Sequence, residues 1–178
     1  MAKINYGKRF EEDMQKSCSE QSVFFYRIKD VNPMALKRGM AVSKNDFDSF
    51  IFRKPNLFPT EFKSTASKSI SFSESIIKGH QIKALQEASE YDGLISGFIF
   101  NFREVNNSTY FVHIEDFLAY KNIAENGLDH TYESKVNKSS IPIAICKEIG
   151  IEITNVKKQV RYRYYVNKLL DELIVKYN

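Results

Sequence analysis

Near the middle of the chain, Leu94–Phe102 (LISGFIFNF) is an almost unbroken apolar run. Such a run is typical of a central strand buried on both faces, and a strand of that kind needs helices packed above and below its sheet. The flanking patterns supply them. From Tyr6 to Glu20, residues Tyr6, Phe10, Met14, Ser17 and Cys18 fall on one arc at about 100° per residue, predicting an amphipathic helix. A second helix is predicted over Ile76–Glu90, with Ile77, Ala84, Leu85, Ala88 and Tyr91 on its apolar arc. Between them lie three runs rich in aromatic and β-branched residues, Ser22–Ile28, Asp46–Phe52 and Phe58–Lys63. Asn106–Asn107 marks a turn after the central strand, leading into a further strand at Thr109–Ile114. Short helices are expected at Ile114–Ile123 and Ile141–Ile149, with Gly150 as a stop, and a closing helix at Tyr164–Tyr177. The expectation is an α/β fold with a mixed central sheet of about five strands flanked by helices.

At 178 residues the chain fits one domain with a substantial core, and residues 1–178 are read as a single unit. The Ser64–Ser75 stretch is serine-rich, but Ile70 and Phe72 make it a docked loop instead of a linker. No apolar run approaches the roughly 20 residues that span a bilayer, and MAKINYGKRFEED has no signal-peptide core, so a cytoplasmic location is expected. Cys18 and Cys146 are too few and too far apart for a disulfide framework, and both read as core residues. His80, His113 and His130 have no ligand spacing and are given structural roles. The net charge of +4 is unevenly spread, since residues 135–178 hold nine cations against four anions. A polyphosphate partner would therefore be met near the C-terminus and on basic loops.

Strand alternation puts Glu61 and Lys63 on one face and Phe62 on the other. Asp46 and Asp48 share a face on the preceding strand, and the connection from Lys54 to Leu57 is short enough to pair the two strands. Two carboxylates and a lysine can then converge. A hard divalent cation is held by such a carboxylate pair, with the remaining positions left to phosphate and water. A lysine beside it can steady charge developing on a phosphodiester. Taken alone, Glu-x-Lys on a strand is more often a solvent-facing pair of little energetic weight. Gln81 falls in the middle of an apolar arc, where a buried amide needs partners. It can cap a neighbouring backbone or reach a catalytic carboxylate. On the first helix Glu11 lies at the edge of the apolar arc and leans inward, whereas Glu12 projects to solvent.

Taken in order, Gly7-Lys-Arg-Phe-Glu11, Asn45-Asp46-Phe47-Asp48, Glu61-Phe-Lys63, His80-Gln81-Ile82 and Lys138-Ser-Ser-Ile-Pro142 followed by Gly150 resemble the RecU family of Holliday junction resolvases. The resemblance runs from about Tyr6 to Leu173 and rests on the ordered set. It implies a restriction-endonuclease-like PD-(D/E)XK core and a homodimer that resolves four-way DNA junctions by paired nicks with Mg²⁺ or Mn²⁺. On that basis Asp46 is the first metal ligand, with Asp48 as its substitute, and Glu61 is the second. Lys63 is the catalytic lysine, Gln81 a helix-borne support, and Glu11 a further metal ligand. The sequence departs from the family in a shorter stalk, the basic loop Lys29–Lys44, which weakens the link to four-way junctions specifically. Lys37, Arg38 and Lys44 on that loop, with Lys157, Lys158, Arg161 and Arg163 in a basic helical segment over 135–178, are the expected DNA contacts. The alternatives are a nuclease of the same fold acting on flaps or duplex, and a non-catalytic DNA-binding relative.

Overall fold

The computed structural model describes residues 5–29 and 45–178. The predicted contacts Lys37, Arg38 and Lys44 lie outside the described residues.

The chain opens with α1 (Tyr6–Glu20), capped by the Asn5 side chain accepting from the Lys8 N–H. Three strands follow, β1 (Phe24–Arg27), β2 (Ser49–Arg53) and β3 (Asn56–Thr65), each antiparallel to the one before. After a short strand β4 (Ser69–Ser71), helix α2 (Gly79–Ser89) crosses over to β5 (Gly97–Phe102), which lies parallel to β3. A turn with Asn106 and Asn107 both at positive φ leads into β6 (Ser108–His113) and then α3 (Ile114–Asn126). The remainder comprises β7 (Ser140–Pro142), α4 (Ile143–Ile149), β8 (Ile151–Glu152), β9 (Asn155–Lys158), β10 (Arg161–Tyr164) and α5 (Val166–Tyr177).

The main sheet has the order β1-β2-β3-β5-β6-β8, with only the β3–β5 pair parallel. Every residue of β5 is buried, as its apolar run requires. Period-two alternation then splits the core into two layers. Ile99 joins Phe111, Ile51, Phe58 and Phe62 under α1 and α5. Phe98, Phe100 and Phe102 join Val112 under α2, α3 and α4. Burial of each of these side chains contributes about 1.5–3 kcal/mol. Gly97 permits the close pairing of β5 with β6, because a Cβ there would lie 2.3 Å from the Val112 carbonyl oxygen. Cys18 and Cys146 are both buried, in opposite layers.

The mixed sheet of about five strands is present, with the two residues of β8 added at its edge by pairing with Tyr110 and Phe111, a strand too short to leave a periodic trace. One expectation needs narrowing. Residues 135–178 are helical only in part: α4 and α5 lie close to the two helices expected there, but between them β9 and β10 form an antiparallel hairpin turning at Gln159, which has φ 42°. Its alternating cations hid it, because the hairpin is held against α1 by charge. The Arg161 guanidinium pairs with Asp13 and Glu12, and Arg163 with Glu20.

Candidate functional site

The register of β2 and β3 decides what can meet. Ser49 pairs with Thr60, so the next position back on β2 brings Asp48 beside Glu61. Asp48 is fixed there by its own backbone, which donates to the Thr60 carbonyl and accepts from the Ile28 N–H. Its carboxylate accepts the Phe62 N–H at 2.8 Å. Glu61 and Lys63 point to the α2 side of β3 and Phe62 to the α1 side, as alternation predicts.

Glu61 is 2% exposed. Its Oε1 accepts from Lys63 Nζ at 2.7 Å and from Gln81 Nε2 at 2.6 Å. Gln81, buried on the first turn of α2, accepts on its own Oε1 from Lys63 Nζ at 3.1 Å and from the Lys78 N–H at 3.3 Å. The amide thus serves both functions open to it from sequence, capping a backbone and reaching a carboxylate. Glu61 Oε2 is buried with no hydrogen-bond partner. An orphaned buried acceptor costs about 1–3 kcal/mol, so one here calls for an explanation.

Electrostatics sharpen the point. Burial and then the neighbouring Asp48 carboxylate push Glu61 from 4.5 up to about 8, against the opposing pull of Lys63. Burial also raises Asp48, with the Phe62 N–H and the charges of Lys63 and Arg27 acting the other way. Two crowded carboxylates held above their ordinary range, one with a bare buried oxygen, suit a divalent cation, which would satisfy both. Among the described residues no group of three or more His, Cys, Asp or Glu side chains gathers as a metal cluster. Asp48 and Glu61 are the two carboxylates that the strand register brings together here, and one or two carboxylates are the usual protein share of the ligands of a hard divalent cation.

The other predicted residues fall elsewhere. The strand starts at Ser49 and residues 46–48 form bends, so the alternation that placed Asp46 with Asp48 does not extend to them. Asp46 is exposed, and Asp48 occupies the position beside Glu61. Glu11 leans inward as expected, its side chain 15% exposed, but it meets Arg27 Nε at 2.5 Å. It stands one ion pair away from Asp48, which also feels the charge of Arg27. Arg27 was missed because in SVFFYRI it reads as the solvent side of a strand. Arg161 and Arg163 are engaged by α1 acids, while Lys157 and Lys158 are exposed on β9. His113 is structural, its Nδ1 accepting the Glu115 N–H at the start of α3 and its ring stacked on Tyr177.

No protein-family model matches the sequence. The chain is 64% identical over 176 residues to the SPbeta prophage-derived uncharacterized protein YotM of Bacillus subtilis strain 168, covering 99% of this chain and 90% of the relative. Among solved structures it is similar to Hjc, a Holliday junction resolvase of the archaeal hyperthermophile Archaeoglobus fulgidus. The TM-score is 0.50 at 14% identity, over 82% of this chain and 95% of the resolvase. At that identity the likeness establishes the fold, which is the restriction-endonuclease-like α/β fold expected from sequence. No helix among the described residues is long and apolar enough to cross a membrane.

Proposed function

We propose that this chain, which belongs to the family of the SPbeta prophage-derived protein YotM, is a metal-dependent endonuclease that hydrolyses DNA phosphodiester bonds. The observation that carries the reading is Glu61, whose one oxygen is fixed by Lys63 and Gln81 while the other is left bare beside Asp48. In this reading Asp48 and Glu61 hold Mg²⁺ or Mn²⁺, which when bound supplies Lewis-acid polarisation of the scissile phosphate. Lys63 holds its ammonium where negative charge develops on the phosphorus oxygens. Gln81 sets the Glu61 rotamer and accepts from Lys63, so both groups are in place before substrate arrives. Asp46 remains a proposed ligand only in reserve, and Glu11 acts through Arg27.

The substrate proposed is branched DNA, resolved by paired nicks in a homodimer. It is supported by the ordered RecU-like motifs and by a fold shared with an archaeal resolvase. Two-fold symmetry matches the need for two incisions. Phe24, Tyr26 and Phe52, exposed on the β1–β2 edge, form the kind of patch that marks a protein contact. The test is cleavage of labelled four-way junction, flap and linear duplex in Mg²⁺, Mn²⁺ and chelator, with Glu61→Gln and Lys63→Ala alongside. Symmetric nicks only in the junction with wild type are expected. Cleavage that survives chelator or the Glu61→Gln change overturns the assignment.

A further inference from the structure

A second site lies on the other side of the sheet. Residue Ser64, one step beyond Lys63 on β3, faces the α1 layer and forms the floor of a cavity of about 380 Å³. This is within the range of small-ligand sites, about 300–1,000 Å³. Its walls come from the first turns of α1, the end of β5 and the β9–β10 hairpin.

The lining has a defined chemistry. Tyr6 is 46% exposed, and the Arg103 guanidinium lies 4.6 Å from its ring centroid. Tyr162 lines the cavity from β10. Arg9 and Lys157 also line the cavity, and neither has an ion-pair partner among the described residues. Of the acids on the wall, Asp13 is already paired with Arg161, and Glu104 lies 3.9 Å from Arg103. The floor is closed on itself. Ser64 Oγ donates to Asn101, Asn101 Nδ2 donates to Asn107 and Thr109, and Asn107 Nδ2 donates to Asn155 and Tyr164. With the side-chain donors of Ser64, Asn101 and Asn107 spent on one another and on their neighbours, these groups have none left to read a base edge.

We propose that this cavity takes an unpaired nucleotide of a single DNA strand, its base stacked on Tyr6 and its phosphates on Arg9 and Lys157. Aromatic rings with interspersed cations bind single strands in this way, with little sequence preference. The proposal rests on the nuclease reading for the identity of the strand as DNA. It adds a reason for preferring branched or frayed DNA, because such DNA offers unpaired nucleotides for the cavity to take.

The test is fluorescence anisotropy with a labelled oligothymidylate in chelator, so that cleavage plays no part. Tyr6→Ala should weaken binding about ten-fold, and Tyr6→Phe should restore it. An abasic oligonucleotide of equal length should bind the wild type about as weakly as oligothymidylate binds Tyr6→Ala. Arg9→Glu with Lys157→Glu should also lower the slope of log K against log salt by about 1–2. Circular dichroism melting confirms that each variant is folded. Equal affinity of wild type and Tyr6→Ala, or of abasic and thymidine strands, overturns the proposal. Loss of cleavage with this binding intact would instead count against the nuclease reading alone.

Discussion

Replacing Glu61 by glutamine should make the metal-free protein more stable, and increasingly so as pH rises. Glu61 is shifted from 4.5 to about 8 chiefly by burial and by Asp48. A carboxyl whose folded-state pKa is raised favours the fold fully below its unfolded value, and that contribution is lost as pH rises through the folded value. The window is therefore from 4.5 to about 8. At about 1.4 kcal/mol per unit, the ionised carboxylate withholds about 5 kcal/mol at the alkaline end. Glutamine keeps an oxygen for Lys63 and Gln81 and has an amide nitrogen to donate towards Asp48, but Lys63, with its side chain 15% exposed, loses an anionic partner. Allowing somewhat more than half of the gain for that loss leaves about 2 kcal/mol, or roughly 4–8 °C in Tm for a chain of this size.

The assay is thermal melting in chelator at about pH 5 and about pH 8.5, on either side of the window. Wild type and Glu61→Gln should melt together at the acidic value and separate at the alkaline one, with the variant higher. Adding Mn²⁺ should reverse the order at alkaline pH, because a ligand at a hundred times its Kd stabilises the folded wild type by about 2.7 kcal/mol. Parallel melting curves at both pH values would refute the crowded-carboxylate argument. A Mn²⁺ shift of equal size in wild type and variant would remove Glu61 from the metal site.

Further outcomes follow from the same geometry. Asp48→Asn should abolish the Mn²⁺ shift and cleavage, whereas Asp46→Asn should leave the shift intact, as read by melting in a metal titration; the opposite pattern would restore Asp46 as first ligand. Gln81→Ala should lower kcat on a junction substrate by about 10²-fold with little change in KM, because it disturbs the placement of Glu61 and Lys63 without touching DNA. Arg161→Ala should cost about 1–2 kcal/mol, since Asp13, whose side chain is 5% exposed, loses its charged partner and keeps the Tyr162 N–H, while Lys157→Ala should leave Tm unchanged and weaken DNA binding. Chemical denaturation separates those two lysine and arginine outcomes.

How much of this was legible in the sequence depends on the range over which each signal acts. The β3 pair Glu61 and Lys63 was readable because alternation is local and Phe62 fixes its phase in the core. Gln81 was readable because a polar residue interrupted an apolar arc. Asp46 was misplaced because alternation was extended past the start of β2, where backbone bends replace it. The hairpin was missed for a different reason. Its inner face is completed by Asp13, Ser17 and Glu20 of α1, through the Arg161 and Arg163 ion pairs and the Tyr164 N–H donated to Ser17. Such contacts of Arg161 and Tyr164 span 147 to 149 residues of sequence and leave no periodic pattern in the hairpin itself.

The division of cations has a consequence for how DNA would be held. Arg161 and Arg163 carry charge but spend it on α1, so they add little to an electrostatic footprint despite their place in the most basic part of the chain. Lys157 and Arg9, from elements far apart in sequence, are brought to one cavity by that very clamp. Cutting the Arg161–Asp13 pair should thus weaken single-strand binding as well as stability, although Arg161 need not touch the strand. If Asp13→Asn, which relaxes the clamp and removes a negative charge, strengthens oligothymidylate binding, net charge governs the cavity; if it weakens binding, the position of the hairpin does.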